Sequence, residues 1–181
     1  MIPYSHQFID EDDLGSVKEV LLSDWLTQGP KVKEFELALA KYCGAKYAVA
    51  VSNGTAALQA AYFAIDIKKG DEIITSALTF AATTNAAIWR GAKPIFVDID
   101  ETGNIDPDLI EEKITSKTKA IVAIDYAGLP CDFDKLKKIT KKHSLILIED
   151  AAHSLGAEYK GKKVGCIADL TTFSFHPVKS I

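Results

Sequence analysis

The side chains best suited to chemistry fall into four short clusters. The run Ser174-Phe175-His176-Pro177-Val178-Lys179 carries a strand-like aromatic stretch into a lysine. An amine so placed can condense with an aldehyde and afterwards move protons between carbon centres. Asp150 ends the apolar run 145–148 through Glu149. A carboxylate there can keep a ring nitrogen protonated, as an electron-sink cofactor requires; it could equally cap a helix or ligate a metal. His153, three residues on, could bond a ring oxygen, although a single histidine often serves packing alone. In Ser52-Asn53-Gly54-Thr55-Ala56-Ala57 a strand turns through glycine into a helix. Free N–H groups and a hydroxyl then point along the helix axis, which suits a phosphate but also describes an ordinary capped turn. Ser174 could add a second hydroxyl to that cup. Thr79-Phe80 precedes another helix, where Phe80 could stack on an aromatic ring or simply pack in the core.

The elements that position these clusters alternate. The apolar spacing predicts an amphipathic helix over 10–24, with Leu14, Val17, Val20 and Leu21 on one face, broken by the run 25–30 because Gly-Pro stops helices. A second helix is expected over 31–42, with Val32, Phe35, Leu39 and Tyr42 as its stripe and Gly44 as its stop. Further helices are expected over 55–65, 80–90, 106–115 and 132–143. The third of these would be capped by Asp106 with Pro107 at its first position. Strands are expected over 47–51, 72–75, 94–97, 120–124, 145–148 and 170–175. Strands apolar on both faces and separated by helices imply a three-layer α/β/α fold with a mostly parallel sheet. In such sheets chemistry gathers at the carboxyl ends of strands, where residues 52–55, 79–80, 125–126, 150–153 and 174–179 all fall.

The 181 residues suffice for one sizeable core, and 48% hydrophobic with 25% charged residues is ordinary globular composition. A net charge of -4 without a basic stripe argues against nucleic acid as a partner. Three dispersed cysteines without a CxxC pair read as incidental thiols in a reducing compartment and suggest no metal site. The N-terminal residues show no secretory pattern, and no apolar run approaches the roughly 20 residues of a membrane span. A cytoplasmic protein is the expectation. Neither GxxxxGK[ST] nor GxGxxG occurs, which disfavours a nucleotidase or a nucleotide-binding oxidoreductase.

Four blocks resemble one family in order and spacing. Asn53-Gly54-Thr55-Ala56-Ala57-Leu58, Thr79-Phe80-Ala81-Ala82-Thr83-Thr84-Asn85, Glu149-Asp150-Ala151-Ala152-His153-Ser154-Leu155-Gly156 and Phe173-Ser174-Phe175-His176-Pro177-Val178-Lys179 look like the signature blocks of the DegT/DnrJ/EryC1/StrS sugar aminotransferases. The resemblance covers essentially the whole chain. It implies the aspartate-aminotransferase fold (fold type I) and pyridoxal 5'-phosphate as cofactor. Lys179 would be the lysine that holds the cofactor covalently and shuttles protons, and Asp150 the partner of the pyridine nitrogen. His153 stands where the family commonly has Gln or His near the ring oxygen. Gly54, Thr55 and Ser174 would hold the phosphate, and Phe80 would stack on the ring.

The family's chemistry would take the amino group of glutamate, release 2-oxoglutarate, and deliver the amine to a ketone carbon of a nucleotide-linked sugar. Pro3-Tyr4-Ser5, Asp24-Trp25-Leu26-Thr27-Gln28-Gly29 and Val122-Ala123-Ile124-Asp125-Tyr126-Ala127-Gly128 look most like the branch making the pseudaminic acid precursor. That branch aminates C4 of a UDP-linked 4-keto-6-deoxy-N-acetyl sugar, and Tyr4, Asp24, Trp25, Leu26 and Thr27 would line its sugar-nucleotide site. The resemblance further implies a homodimer with an exposed apolar interface. Family members are much longer, so it reads the chain as an N-terminal half: a helical segment over 1–30, a large domain over 31–181, and no C-terminal small domain. Two alternatives stand beside it: amination of another nucleotide-linked keto sugar, and a non-catalytic remnant that keeps the fold. A dehydratase sibling, which replaces the lysine with histidine, is disfavoured by Lys179, since His176 lies three positions away.

Overall fold

A computed structural model describes residues 7–179 of the chain. Helix α1 (Glu11–Leu21) begins at a reciprocal cap: the Asp10 carboxylate accepts from the Asp12 and Asp13 amides, and Asp13 accepts from the Asp10 amide. Glu11, Asp12 and Asp13 also place negative charge at the positive end of the helix. The helix buries no side chain, so Leu14, Val17 and Leu21 of its apolar stripe face solvent. Gly29-Pro30 does not stop a helix, as the sequence suggested, but opens one. In α2 (Gly29–Cys43) proline's fixed φ and missing N–H suit the first turn, where that donor has no partner anyway. Gly44 closes α2 in the left-handed conformation at φ 72°.

Two helices and two strands follow in alternation: α3 (Gly54–Ala64), β1 (Glu72–Ser76), α4 (Ala81–Trp89) and β2 (Lys93–Val97). Then come β3 (Thr118–Ile124), α5 (Phe133–His143) and β4 (Ile146–Asp150), a two-residue hairpin β5 (Glu158–Tyr159) and β6 (Lys162–Lys163), and β7 (Leu170–Thr172). Strands β2-β1-β3-β4-β7 form one sheet in that order, every pair parallel.

Period-two alternation divides the sheet's residues between two helical layers. Ile73, Ala120, Val122 and Ile148 face Leu58, Ala61 and Tyr62 of α3 and Ala82, Ala86 and Ala87 of α4. Ile74, Ile121, Ala123 and Leu147 face Phe133, Leu136 and Ile139 of α5. The three-layer α/β/α architecture read from the sequence is therefore present. No helix among the described residues is long and apolar enough to cross a membrane. The three cysteines are free thiols, Cys43 and Cys131 buried and Cys166 exposed.

Two expected elements differ. Residues 47–51 join no ladder. With 170–176 they line an open groove that Phe35, Leu39 and Cys43 also line, and a stretch of good β-propensity has no ladder partner among the described residues. Residues 106–115 form two 3-10 turns, Pro107–Leu109 and Glu111–Lys113, instead of an α-helix. The Asp106 carboxylate accepts from the Asp108 amide, and the Thr115 amide donates to Thr118 Oγ1; both bonds satisfy the backbone locally and compete with an α-helical ladder.

Candidate active site

Parallel register brings the ends of β3, β4 and β7 to one edge. Ile124 pairs with Asp150 and Asp150 with Thr172, and the Ala151 amide donates to the Thr172 carbonyl at 2.9 Å. Asp150 shares the parity of Ile148, so its carboxyl projects to the α3/α4 face. It is 6% exposed. Oδ2 accepts from Thr83 Oγ1 at 2.8 Å, and Oδ1 accepts from the Ala152 amide at 3.3 Å. Burial raises the Asp150 carboxyl above its ordinary range, against the Thr83 and Ala152 bonds and the charges of His153 and Lys179.

Thr83 is the residue the sequence reading left without a role. It sits in the first turn of α4, where its carbonyl accepts from the buried Tyr62 hydroxyl at 2.7 Å. Thr79 Oγ1 lies 2.8 Å from Thr83 Oγ1. Because the Thr83 proton goes to Asp150, Thr79 must donate in that pair. Part of the signal was available: the two threonines bracket the Phe80 cap, Thr79 just before it and Thr83 in the first turn after it. In an alanine-rich run, however, threonine also reads as filler.

Lys179 Nζ and His153 Nε2 are 2.9 Å apart. Burial first, and the Lys179 cation second, lower the His153 pKa, while Asp150 opposes them. The imidazole is thus held neutral beside an ammonium that donates to it. Lys179 lies at the end of a tight turn, its amide donating to the His176 carbonyl at 2.8 Å.

At the start of α3 the Asn53 side chain accepts from the Ala56 amide at 2.9 Å, leaving the N–H groups of Gly54 and Thr55 at the helix mouth. The lost turn to 47–51 as a strand does not remove this geometry. A Cβ built on Gly54 would come within 3.4 Å of Ser174 Cβ and 3.7 Å of its Oγ, so Gly54 and Ser174 line one small cup. Phe80 precedes α4 with its ring 78% exposed, which excludes the core-packing reading. The structure therefore sets Asp150 within electrostatic reach of the bonded His153–Lys179 pair, and Gly54 beside Ser174 at the start of α3, where Thr55 is the next residue.

The expected sugar-site residues join neither group. In the stretch Asp24 to Thr27, the hydrogen bonds stay local, between Ser23 Oγ and the Trp25 amide and carbonyl, and Trp25 and Leu26 are exposed. An open depression beginning at Gln28 and Gly29 does run to Ser52, at the approach to the α3 mouth. Tyr4 lies outside the described residues.

A family model described as the DegT/DnrJ/EryC1/StrS aminotransferase family matches residues 7–181. The chain belongs to that family. A UDP-4-amino-4,6-dideoxy-N-acetyl-beta-L-altrosamine transaminase of Campylobacter jejuni is 47% identical over 184 residues, matching 100% of this chain and 49% of its own length. Among solved family structures, the Helicobacter pylori aminotransferase PseC, involved in the biosynthesis of pseudoaminic acid, has a TM-score of 0.95 at 41% identity; the match covers 98% of this chain and 48% of that one. The PLP-form of Spr1654 from Streptococcus pneumoniae has a TM-score of 0.95 at 38% identity, over 98% of this chain and 50% of its own. The chain spans about half the length of the curated relatives it matches.

Proposed function

We propose that this protein is a pyridoxal-phosphate-dependent aminotransferase that moves the amino group of glutamate to the C4 ketone of a UDP-linked 4-keto-6-deoxy-N-acetyl sugar. The observation that carries the reading is the juxtaposition of a buried, hydroxyl-bonded Asp150 with the His153–Lys179 pair at one sheet edge. The donor set fits the cofactor group by group. A phosphate suits the N–H groups at the α3 mouth with the Thr55 and Ser174 hydroxyls, a cationic ring nitrogen suits a buried carboxylate, and an aldehyde suits a primary amine. When bound, the cofactor supplies an electrophilic carbon and an electron-withdrawing ring.

The chain's own residues then divide the work. Lys179 Nζ would hold the cofactor covalently and, when free, would serve as the base that takes and returns a proton. Asp150 would hold the ring nitrogen protonated, and a cation there would oppose the burial that raises the carboxyl. Thr83 orients that carboxylate. Neutral His153 would accept a hydrogen bond from Lys179 Nζ or, in its other tautomer, donate one to the ring oxygen. Phe80, standing clear of the core, would be available to cover a face of the ring. Residues 31–181 form the cofactor-binding domain in this reading. The pseudaminic-type sugar is favoured by the identity to the Campylobacter jejuni transaminase, and the apolar stripe of α1 is assigned to a homodimer contact.

The test uses protein expressed from its whole reading frame, with pyridoxal phosphate, glutamate and the UDP-linked keto sugar, followed by mass spectrometry. An amino sugar formed one-for-one with 2-oxoglutarate, and absent in Lys179→Ala, is the expected result. Turnover only with a differently activated keto sugar would move the substrate assignment. Cofactor binding without turnover on any keto sugar would overturn the enzymatic reading.

A further inference from the structure

Directly beneath the site, on the opposite face of the sheet, lie two acids that the proposed chemistry does not use. In the β3–β4 register Ala123 pairs with Glu149, so Asp125, two residues beyond Ala123, sits diagonal to Glu149 on the α5 face. Both are 0% exposed. Each carboxyl grips a segment of the site. Asp125 Oδ2 accepts from Ser154 Oγ at 2.7 Å and Oδ1 from the Cys131 amide at 3.1 Å, holding the turn that carries His153. Glu149 Oε2 accepts from Thr171 Oγ1 at 2.7 Å and from the Gly165 amide at 3.3 Å, holding β7, which leads to Lys179. The remaining oxygen, Glu149 Oε1, is buried and accepts no hydrogen bond from the described residues. An acceptor in that position is costly unless it carries a proton to give away.

We propose that Glu149 and Asp125 share one proton, Glu149 Oε1 donating to Asp125, and that this pair is a positioning element that fixes the His153 turn and β7 relative to each other. Burial first and the Asp125 charge second push Glu149 up to about 8, with the Thr171 and Gly165 bonds opposing. Burial raises Asp125 as well, while bonds from Ser154, Cys131 and Glu149 lower it and the bond to Asp125 raises Glu149, so the charge is assigned to Asp125. The other groups bearing on the pair are the thiols of Cys131 and Cys43, both raised, and through Cys131 the carboxylate of Asp100. Asp150 projects to the other face. The folded-state pKa of Glu149 is raised, so its contribution to stability is complete below the ordinary value of 4.5 and is lost as pH rises through about 8.

Carbon-13 titration of the Glu149 carboxyl by NMR, on the full chain without cofactor, tests this independently of the aminotransferase reading. The midpoint is expected near 8 and should fall in Asp125→Asn, where the like charge is removed. Amide exchange at Ser154 and Cys131 should accelerate about tenfold beyond its intrinsic pH dependence as Glu149 ionises; Glu149→Gln, which keeps a donor, should abolish that excess. Its unfolding free energy should also fall less steeply with pH than the wild type's. Titration of Glu149 near 4.5, or an unchanged exchange excess in Glu149→Gln, would overturn the proposal. The wild-type titration decides the matter even where a variant fails to fold.

Discussion

Thr83 Oγ1 donates to Asp150 Oδ2 across 2.8 Å, tying the first turn of α4 to the carboxyl end of β4. The bond is buried and its acceptor carries the charge on which the proposed cofactor chemistry rests. Thr83→Val keeps the shape and removes the donor. It should cost about 1.5–3 kcal/mol in denaturant unfolding, the range for a hydrogen bond to a charged group, and raise Asp150 further. Thr83→Ser should recover most of the loss.

Tyr62 stands one step behind. Its hydroxyl donates to the Thr83 carbonyl at 2.7 Å, and burial and the Asp150 charge raise its pKa. Tyr62→Phe should destabilise by about 1 kcal/mol and leave the ring's packing between α3 and α4 intact. A cost near that of a core cavity would mean the ring itself had moved.

How much of this was legible in the sequence follows from what each residue needs. Asp150 announced itself because a charged group ending an apolar strand is conspicuous, Lys179 because it closes a block of recognisable order, and the β3, β4 and α5 patterns needed no partner to be read. The stretch 47–51 misled because β-propensity says nothing about whether a neighbouring strand is there to bond. Residues 106–115 misled because a cap and a proline mark a helical turn without fixing whether it continues past the Thr115–Thr118 contact. Gly29-Pro30 was read as a stop although proline suits a start equally. Thr83 and Glu149 stayed hidden for a different reason: their roles depend on which residues lie across the sheet, a property of register.

The His153 titration gives a direct view of the Lys179 contact. Burial and the Lys179 charge both lower it, so NMR should place its midpoint below 6.5. In Lys179→Ala the midpoint should rise, yet stay below 6.5, since burial is the larger cause and remains. No change would mean the 2.9 Å contact does not persist in solution.

Gly54 separates fold from binding. An alanine methyl there would make ordinary contact with Ser174 at 3.4 Å, so Gly54→Ala should keep stability or gain up to about 1 kcal/mol. The same methyl narrows the phosphate cup, and affinity for pyridoxal phosphate should fall about tenfold, or 1.4 kcal/mol. Unchanged affinity would place the phosphate elsewhere.

The central claim is that Lys179 is the covalent attachment point of the cofactor. The most direct test is to saturate the protein with pyridoxal phosphate, reduce with borohydride, digest, and locate the added mass by tandem mass spectrometry. The account predicts a single modified lysine, Lys179, accompanied before reduction by a visible absorbance band that Lys179→Ala lacks. Label on a different lysine, or no label at saturating cofactor, would contradict it.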